Sequence, residues 1–287
     1  MKISSGEKVF QVFLIGFITL LCICMIYPFI HVLSISFSTS TEALRQGMHW
    51  YPREISLYAW DRVLADKNIW LALWNTVFRT VVGTFLTILF MSMAAYPLSK
   101  KYLPHRNFYM MFIVITMFFS GGLIPTYLLV KSLGFIDSRW SLIIPALIST
   151  YSLLILRNFF MSLPEELEDS AKIDGASELR ILFTIVIPLS KPVLATLALW
   201  SAVGHWNAWF DALMYLQDQK LFVLQTFLRR LVITTEGDPL LPISTEFDTQ
   251  ETVKAAAIMF TALPILIVYP FIQKYFVKGT LVGSVKG

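Results

Sequence analysis

Side chains that could bind a metal ion or catalyse a reaction are few and scattered in this sequence. Cys22 and Cys24 lie two residues apart in an apolar run, where a helix would point them to different faces. We therefore interpret them as small core side chains rather than as a disulfide or a metal pair. The sequence contains no Gly-x-x-x-x-Gly-Lys-Ser/Thr phosphate loop. It predicts no metal site and no enzyme, and no ligand spacing connects the four histidines, His31, His49, His105 and His205.

The composition indicates that lipid surrounds much of the chain. Hydrophobic residues make up 56% of the 287 residues and charged residues only 15%, with a mean hydropathy of +0.66. A water-facing surface of ordinary polarity needs more charge than this. The net charge of +4 comes without a dense basic block or a basic and aromatic stripe, so nucleic acid is not an expected partner.

Six apolar segments are long enough to cross a bilayer, which takes about 20 mostly apolar residues in a helix. The first could also be a cleaved signal peptide, but its apolar run is too long, and we favour a retained helix. Glycines and prolines interrupt the third and sixth segments, and we expect the sixth to bend at Pro264 and Pro270. In the third, Gly121, Gly122 and Pro125 leave a simple kink and a pathway-lining bend open. The predicted spans are Val9–Phe37, Trp70–Leu98, Phe108–Val130, Ser141–Phe160, Ile181–Met214 and Ala255–Phe276.

Lys and Arg residues between the spans favour an orientation with both chain ends in the cytoplasm, although charge alone discriminates weakly. Two segments, 38–69 and 217–252, would then lie outside the cell. Their length exceeds that of a hairpin, and Trp50, Tyr51 and Trp60 suit an interfacial or docking surface. Capping of the helix bundle is an equally good interpretation of any one of these residues.

Arg79 is a cation inside the second predicted span. Such a charge is costly unless its side chain reaches the interface or faces a wet cavity, so Arg79 is a weak candidate for a transport pathway. We found no acidic pair and no Asp, Glu and His series within the spans, which counts against an ion-coupled secondary transporter. An intramembrane enzyme would need clustered catalytic side chains that the spans lack.

The polar stretch 162–177 predicts a short helix between the fourth and fifth spans. Ser162 and Glu165 have the spacing of a capping box, and Pro164 suits the first turn. Acidic residues at the start of this helix complement the positive end of its dipole. Gly175 is a plausible C-terminal cap, because glycine adopts the left-handed conformation without steric cost. Small residues Ser170 and Ala171 would let another protein approach closely, although a lid on the membrane is an equal alternative.

The same stretch resembles the signature of the inner-membrane subunits of binding-protein-dependent importers. That signature reads Glu-Ala-Ala, three residues, Gly, nine residues, Ile, any residue, Leu, Pro. Here it is matched by Asp169-Ser170-Ala171, Gly175 and Ile185-Val186-Ile187-Pro188, with Asp for Glu, Ser for the first Ala, and Ile for Leu. Residues 206–210, 273–279 and 283–287 further resemble the second permease of maltose-type oligosaccharide transporters.

The resemblance implies an all-α integral membrane protein of the type I importer permease fold, with about six transmembrane helices and a cytoplasmic coupling helix. Residues 1–70 would form the first helix and outer loop, and residues 71–287 the core permease domain with a coupling loop at 162–188. The chain would form half of a pore for a sugar or oligosaccharide in a bacterial cytoplasmic membrane. A non-sugar solute is the alternative.

Partners and site residues follow from the same resemblance. We expect a homologous second permease, two cytoplasmic ATPase subunits that use ATP and magnesium, and an extracytoplasmic sugar-binding protein, with no cofactor on this chain. Trp206, Asn207 and Trp209, with Arg79, are weaker candidates for the sugar path, because aromatic faces stack on sugar rings and amides bond hydroxyls. The residues expected to couple to the ATPase are Glu168, Asp169, Ser170, Ala171, Asp174, Gly175 and Pro188.

Overall fold

The computed structural model describes the backbone of residues 5–233 and 250–284, and side chains within 6–233 and 250–268. Throughout these residues the regular structure is helical, and the one strand-like pairing there is an isolated bridge between Ser38 and Ile55. The helices are α1 (Ser5–Ser36), α2 (Ser40–Ala43), α3 (Tyr58–Ala65), α4 (Lys67–Ser99), α5 (Arg106–Phe118), α6 (Leu123–Ser132), α7 (Thr150–Met161), α8 (Glu165–Ile173), α9 (Glu178–Ile181), α10 (Ile187–Leu189), α11 (Lys191–Asn207), α12 (Phe210–Tyr215), α13 (Leu224–Ile233) and α14 (Gln250–Ser284).

Three of these helices, α1, α4 and α14, are long and apolar enough to cross a membrane unbroken. They contain most of the first, second and sixth predicted spans. Pro264 and Pro270 do not end α14, which is one helix from Gln250 to Ser284, and its bend stays a prediction. The resembling residues 273–279 and 283–287 lie outside the described side chains.

The other three predicted spans are bent pairs of helices, so the total by length and composition is up to six. The angle is 116° between α5 and α6, 52° between the 3-10 turns at 139–146 and α7, and 85° between residues 178–189 and α11. The interruption predicted in the third span is present as a sharp turn near Gly121 and Gly122, and its lining of a pathway stays a prediction. The glycine at 122 has a φ of +87°, which disfavours residues with a Cβ.

The fifth predicted span, read as one apolar run from Ile181 to Met214, is the most divided. A π-helical turn at Leu182–Val186 precedes α10, and the backbone bends at Ser190 before α11 begins. A second break follows at Ala208, whose extended ψ of 131° ends α11, and α12 starts at Phe210. The apolar residues on both sides concealed these breaks, although Ser190, Lys191 and Pro192 mark the first of them in the sequence.

The described chain forms two compact units, one from residues 5–69 with 228–233 and 250–265, the other from 70–227 with 266–284. In the first unit the segment after α1 returns to that helix. Trp60 stacks on Phe37 at 5.4 Å between ring centroids and donates its indole N–H to Ser36 Oγ at 3.3 Å. Trp50 and Tyr51 are exposed. The functional division at residue 70 stays a prediction.

The second unit has an apolar core next to loop 162–188. Side chains from α4, α7, residues 181–186 and α11 are fully buried there, because each of these segments turns its apolar face toward the others. In lipid, which is as apolar as these side chains, close van der Waals packing holds such helices together. The core therefore fixes where loop 162–188 leaves the bundle. Its buried members include Met91, Ala95, Leu98, Leu153, Leu156, Phe160, Ile181, Leu182, Val186 and Leu197.

Candidate functional site

Helix α8 begins at Glu165, three residues after the predicted cap. Pro164 occupies the N-cap position, and it provides no side-chain hydrogen bond there. The Ser162 hydroxyl donates instead to the Phe159 carbonyl at 2.7 Å, at the end of α7. The predicted capping box is therefore wrong, because Ser162 completes the preceding helix. The predicted acidic first turn is present, with Glu165, Glu166 and Glu168 near the positive end of the helix dipole.

The C-terminal end of α8 has the cap that Gly175 predicted. Gly175 has a φ of +77°, and its N–H donates to the Lys172 carbonyl at 3.0 Å. The Ala176 N–H donates to the Ala171 carbonyl at 2.9 Å. These two bonds define a Schellman motif, which satisfies carbonyls that the end of a helix leaves unpaired. No heavy atom lies within 4 Å of a Cβ built on Gly175, so conformation rather than space selects glycine here.

Six side chains tie α8 to the end of α4, and we call them the loop cluster: Tyr96, Lys100, Tyr102, Glu168, Lys172 and Glu178. Lys100 forms an ion pair with Glu168 in which both side chains are nearly buried, at 13% and 10% exposure. Its Nζ also lies 4.4 Å from the centre of the Tyr96 ring, where an ammonium is attracted to the aromatic face. The Tyr96 hydroxyl donates to Glu178 at 2.8 Å and lies 3.4 Å from Glu168.

The outer half of the loop cluster repeats this pattern at the water boundary. Lys172 pairs with Glu178 at 3.1 Å and donates to the Tyr102 hydroxyl at 3.3 Å. Tyr102 in turn donates to Glu178 at 3.0 Å. Burial alone would lower the pKa of Lys172, but its bonds to Glu178 and Tyr102 outweigh that effect and raise the pKa.

A second lysine and glutamate pair joins the same two segments on the surface. Lys101 and Glu165 are 2.9 Å apart, and both side chains are 74% exposed. The hydrogen bond from Lys101 lowers the pKa of Glu165. Exposed pairs of this kind contribute little to stability, because water and salt screen them. Adjacent lysines thus make one buried and one exposed contact with α8.

The predicted coupling residues divide between two faces of loop 162–188. Glu168 is buried and turned toward α4, and Ala171 is half-buried beside the core. Asp169, Ser170, Asp174, Gly175 and Pro188 are exposed. Ile173, which the sequence did not single out, exposes 87% of its surface at the end of α8. The exposed set forms the surface that a partner could reach.

A cavity of about 180 Å³ lies between α8 and the ends of α4 and α7. Charged residues from α8 and lysines from the turn after α4 line it together with the apolar side chains of Phe160, Met161 and Leu163, so its lining is polar and apolar in equal measure. Asp169 reaches this cavity from the exposed side of α8. The lining residues include Lys100, Lys101, Tyr102, Glu165, Glu168, Asp169 and Lys172.

Buried Arg79 forms an ion pair with Asp211, whose side chain is 27% exposed, and we call these two residues the break pair. Arg79 is 3% exposed and pairs with the Asp211 carboxylate, while donating to the Ala208 carbonyl at 3.2 Å. A single acid within the spans, Asp211, thus pairs with the one cation that the sequence singled out there. Asp211 lies inside the predicted fifth span, 132 residues from Arg79. The sequence offered one hint of its role, namely the presence of an acid within an apolar span. Snorkelling of Arg79 to the interface is wrong, because the side chain is held inside the unit.

The aromatic candidates for a sugar path lie at the end of α11. Trp206 is buried, Asn207 is exposed, and the Trp209 ring meets the Phe210 ring edge-on at 5.5 Å. Next to Trp206 in the sequence, buried His205 packs on Gly83 of α4, where an added Cβ would come within 2.7 Å of the imidazole Nε2. The structure brings Arg79 to the break beside Trp209 and leaves the sugar-path assignment as a prediction.

These features define a helical membrane protein with a protruding polar loop and broken spans. The model of the family described as binding-protein-dependent transport system inner membrane component matches residues 69–282. The chain belongs to this family, and it is a permease subunit of an ABC importer. The loop 162–188 lies within the matched region. Within the described residues, no group of three or more His, Cys, Asp or Glu side chains could hold a metal ion.

Relatives support this assignment across nearly the whole chain. The polygalacturonan/rhamnogalacturonan transport system permease YtcP of Bacillus subtilis (strain 168) is 42% identical over 98% of this chain and 99% of its own. The arabinooligosaccharides permease AraQ of Halalkalibacterium halodurans is 29% identical, with both chains fully covered. A crystal structure of a bacterial ABC transporter for the acidic polysaccharide alginate contains a chain that is 32% identical. It covers 96% of this chain and 99% of that one, with a TM-score of 0.89.

Proposed function

We propose that the chain forms half of the transmembrane pore of an importer for acidic oligosaccharides. One observation carries this proposal: two relatives that are at least 30% identical over more than nine-tenths of this chain are named for polygalacturonan/rhamnogalacturonan and for alginate. Polygalacturonan and alginate are built from sugars that carry carboxylates. A neutral oligosaccharide is the second candidate, because the arabinooligosaccharide permease matches this chain over its whole length.

Substrate class is tested on the complete importer, purified through a tag on this chain and reconstituted in proteoliposomes. We expect uronate oligomers, offered with the binding protein, to stimulate ATP hydrolysis at least about tenfold more than neutral arabino-oligomers of equal length. Stimulation by neutral oligomers alone would overturn the acidic class. Absence of any ATPase subunit from the purified complex would overturn the importer itself.

The partners in this proposal are a homologous second permease, two ATPase subunits that bind ATP and magnesium, and an extracytoplasmic binding protein. A related alginate transporter, whose matching chain is 14% identical with a TM-score of 0.59, was crystallised with a periplasmic protein bound to an alginate pentasaccharide. Movement of the ATPase subunits would switch the pore between inward-open and outward-open states. This chain would bind no cofactor.

We assign the contact with the ATPase to the exposed face of loop 162–188. Ile173 supplies apolar surface, Asp169 supplies a charge beside the cavity between α8 and α4, and the Schellman motif at Gly175 fixes the end of the helix. A short helix with such a face fits a groove on another protein. Coupling roles for Ser170, Ala171, Asp174 and Pro188 belong to the same proposal. The inward-facing Glu168 would act through α4 rather than by contact.

Gly175 tests this contact through a matched pair of variants. Gly175→Val places a β-branched residue at a φ of +77°, which only glycine and, less readily, asparagine adopt. We expect it to abolish substrate-stimulated ATP hydrolysis in the assembled complex, while Gly175→Asn retains it. Equal stimulation in both variants would contradict the role of this turn. Loss of the Gly175→Val protein from the membrane would assign the glycine to folding alone.

The proposed orientation places both termini and loop 162–188 in the cytoplasm. A cysteine at exposed Ile173, in a variant whose Cys22 and Cys24 are replaced by serine, tests it in intact cells. We expect membrane-impermeant maleimide to label this position only after the cells are opened. Labelling of position 173 from outside would overturn both the orientation and the contact with an ATPase.

A further inference from the structure

We propose that α4 carries movement from loop 162–188 to the junction of α11 and α12, and that Lys100 is the positioning residue that fixes α8 to α4. The inference rests on the proposed contact between loop 162–188 and the ATPase. It adds a route inside this chain, from the loop cluster at one end of α4 to the break pair nearer the other. Neither Lys100 nor Asp211 was among the site residues predicted from the sequence.

Continuity distinguishes α4 from the covalent route between the same two places. Along the chain, loop 162–188 reaches Asp211 through a π-helical turn, an 85° bend at Ser190 and a break at Ala208. Each interruption breaks the regular ladder of helical hydrogen bonds along this route. Helix α4 is unbroken from Lys67 to Ser99, and its 20 steps from Arg79 to Ser99, next to Lys100, span about 30 Å at the helical rise. Its proline, Pro97, lies in the last turn.

At the loop end, Lys100 fastens α8 to α4 through buried charge. Its pairing with Glu168 leaves each side chain only 13% or 10% exposed. Separating two such charges would leave each one buried without a counter-charge, so the pair resists sliding of α8 along α4. Tyr96, on the last full turn of α4, supports the same contact with its ring under the Lys100 ammonium.

At the other end, Arg79 holds both sides of the break in the fifth span. One guanidinium nitrogen donates to the carbonyl of Ala208, the residue that follows α11, and to Asp211 Oδ1, at 3.2 Å in each case. A second nitrogen pairs with the other oxygen of Asp211 in α12. Displacement of α4 therefore acts on the junction itself, which adjoins Trp209. A forked guanidinium transmits orientation as well as position, because its nitrogens lie in one rigid plane.

The neighbouring lysine provides a matched control. Lys101 pairs with Glu165, so it joins the same turn to the same helix one position away in sequence. Both members are 74% exposed, and screened contacts of this kind constrain geometry weakly. If proximity of opposite charges were enough for transmission, Lys100→Met and Lys101→Met would have equal effects. If the buried contact carries it, only Lys100→Met will uncouple the importer.

The first experiment measures sugar transported per ATP hydrolysed by the assembled importer in proteoliposomes. We expect Lys100→Met to lower this ratio by about tenfold at equal amounts of complex, and Lys101→Met to leave it within about twofold of wild type. The charge swap Lys100→Glu with Glu168→Lys should restore most of the ratio. A merely structural lysine would change the amount of complex and leave the ratio intact.

The second experiment measures distances between spin labels at Ile173 and Val81, which expose 87% and 62% of their surfaces. Cys22 and Cys24 are first replaced by serine. We expect the Ile173 to Val81 distance to stay constant between nucleotide-free and nucleotide-trapped complexes, because α8 and α4 move together. The Ile173 to Val203 distance should also stay constant, because Arg79 holds the end of α11 to α4. In the Lys100→Met variant the distribution of Ile173 to Val81 distances should broaden.

Each result decides the inference. The inference is overturned if Lys100→Met and Lys101→Met transport equal amounts of sugar per ATP, or if the Ile173 to Val81 distance changes in wild type. In either case the proposed function still stands, provided that the wild-type importer is coupled. A wild-type complex without stimulated ATP hydrolysis refutes the proposed function instead. If Lys100→Met does not assemble, Tyr96→Phe replaces it. Its loss of one hydroxyl should lower the ratio about threefold, and an unchanged ratio would overturn the inference.

Discussion

The two polar sites on α4 differ in how many bonds hold them. The loop cluster connects six side chains at the water boundary, and Glu178 alone accepts from Tyr96 and Tyr102 and pairs with Lys172. The break pair has one cation, Arg79 at 3% exposure, and one carboxylate, Asp211 at 27% exposure, with the Ala208 carbonyl as a further acceptor. Shared bonds allow the loop cluster to lose one member and adjust, whereas the break pair has no substitute for Asp211. Stability should therefore depend more on the break pair.

The largest expected effect comes from removing the counter-charge of Arg79. Asp211→Asn leaves the guanidinium buried with a neutral partner, and we expect the free energy of unfolding to fall by about 3–5 kcal/mol. Denaturant titration of the detergent-solubilised chain measures it. Asp66→Asn is the control, since the Asn68 N–H that donates to the Asp66 carboxylate needs only an oxygen. A loss below about 1 kcal/mol for Asp211→Asn would remove the contrast between the two sites.

A smaller effect is expected where α4 meets α11 beside the break pair. Gly83→Ala would place a Cβ 2.7 Å from Nε2 and 2.9 Å from Cε1 of the buried His205 ring. Overpacking of this kind costs about 1–3 kcal/mol in the free energy of unfolding. Gly204→Ala, one residue from His205, meets no atom within 4 Å and should leave stability unchanged or slightly raised. Equal stability of the two variants would show that the helices separate easily here.

Because the side chains of the loop cluster share their bonds, we expect an even smaller loss of stability when one bond there is removed. Tyr102→Phe removes one hydroxyl, but Lys172 and Glu178 remain paired at 3.1 Å. We expect the free energy of unfolding to fall by about 0.5–1.5 kcal/mol, measured by the same titration. A loss as large as that of Asp211→Asn would mean that the loop cluster also depends on single bonds.

The smallest effect concerns Asp137, whose carboxylate accepts from the Gln217 and Asp218 N–H groups. These backbone bonds lower the pKa of Asp137. The contact is thus fully present above the ordinary pKa of an aspartate and is lost as the pH falls through the lowered value. Hydrogen exchange of the two amides, corrected for intrinsic rate, should show protection that disappears in acid. Asp137→Asn, which tolerates the local φ of 55°, should remove that pH dependence.

Local patterns in the sequence predicted the structural features that depend on neighbouring residues. Runs of apolar residues identified the spans, and Gly175 identified the end of α8, because both depend on a few consecutive residues. The capping box predicted at Ser162 was wrong because this hydroxyl could bond at the end of α7 or at the start of α8. The backbone path determines which of the two bonds forms. The prediction for Gly175 was correct because no other residue type takes that conformation as readily.

Contacts between distant residues were beyond such reasoning. Nothing in the spacing of Lys100 and Glu168, or of Arg79 and Asp211, shows that these residues meet, since 68 and 132 positions separate them. Glu168 carried the same sequence signal as exposed Asp169 next to it, yet one faces α4 and the other faces outward. The position of a helix on the bundle decides this difference, and the composition of the helix does not.

The length of α1 bears on the thickness of membrane that the chain can occupy. Its membrane-type segment, Gly6–Ser36, has 31 residues and extends about 46 Å along its axis, whereas the hydrocarbon layer is about 30 Å thick. None of its most apolar window is buried within the chain. A helix longer than the hydrocarbon layer fits by tilting. A change in lipid tail length then changes the tilt of α1 without bringing a charged residue into the hydrocarbon.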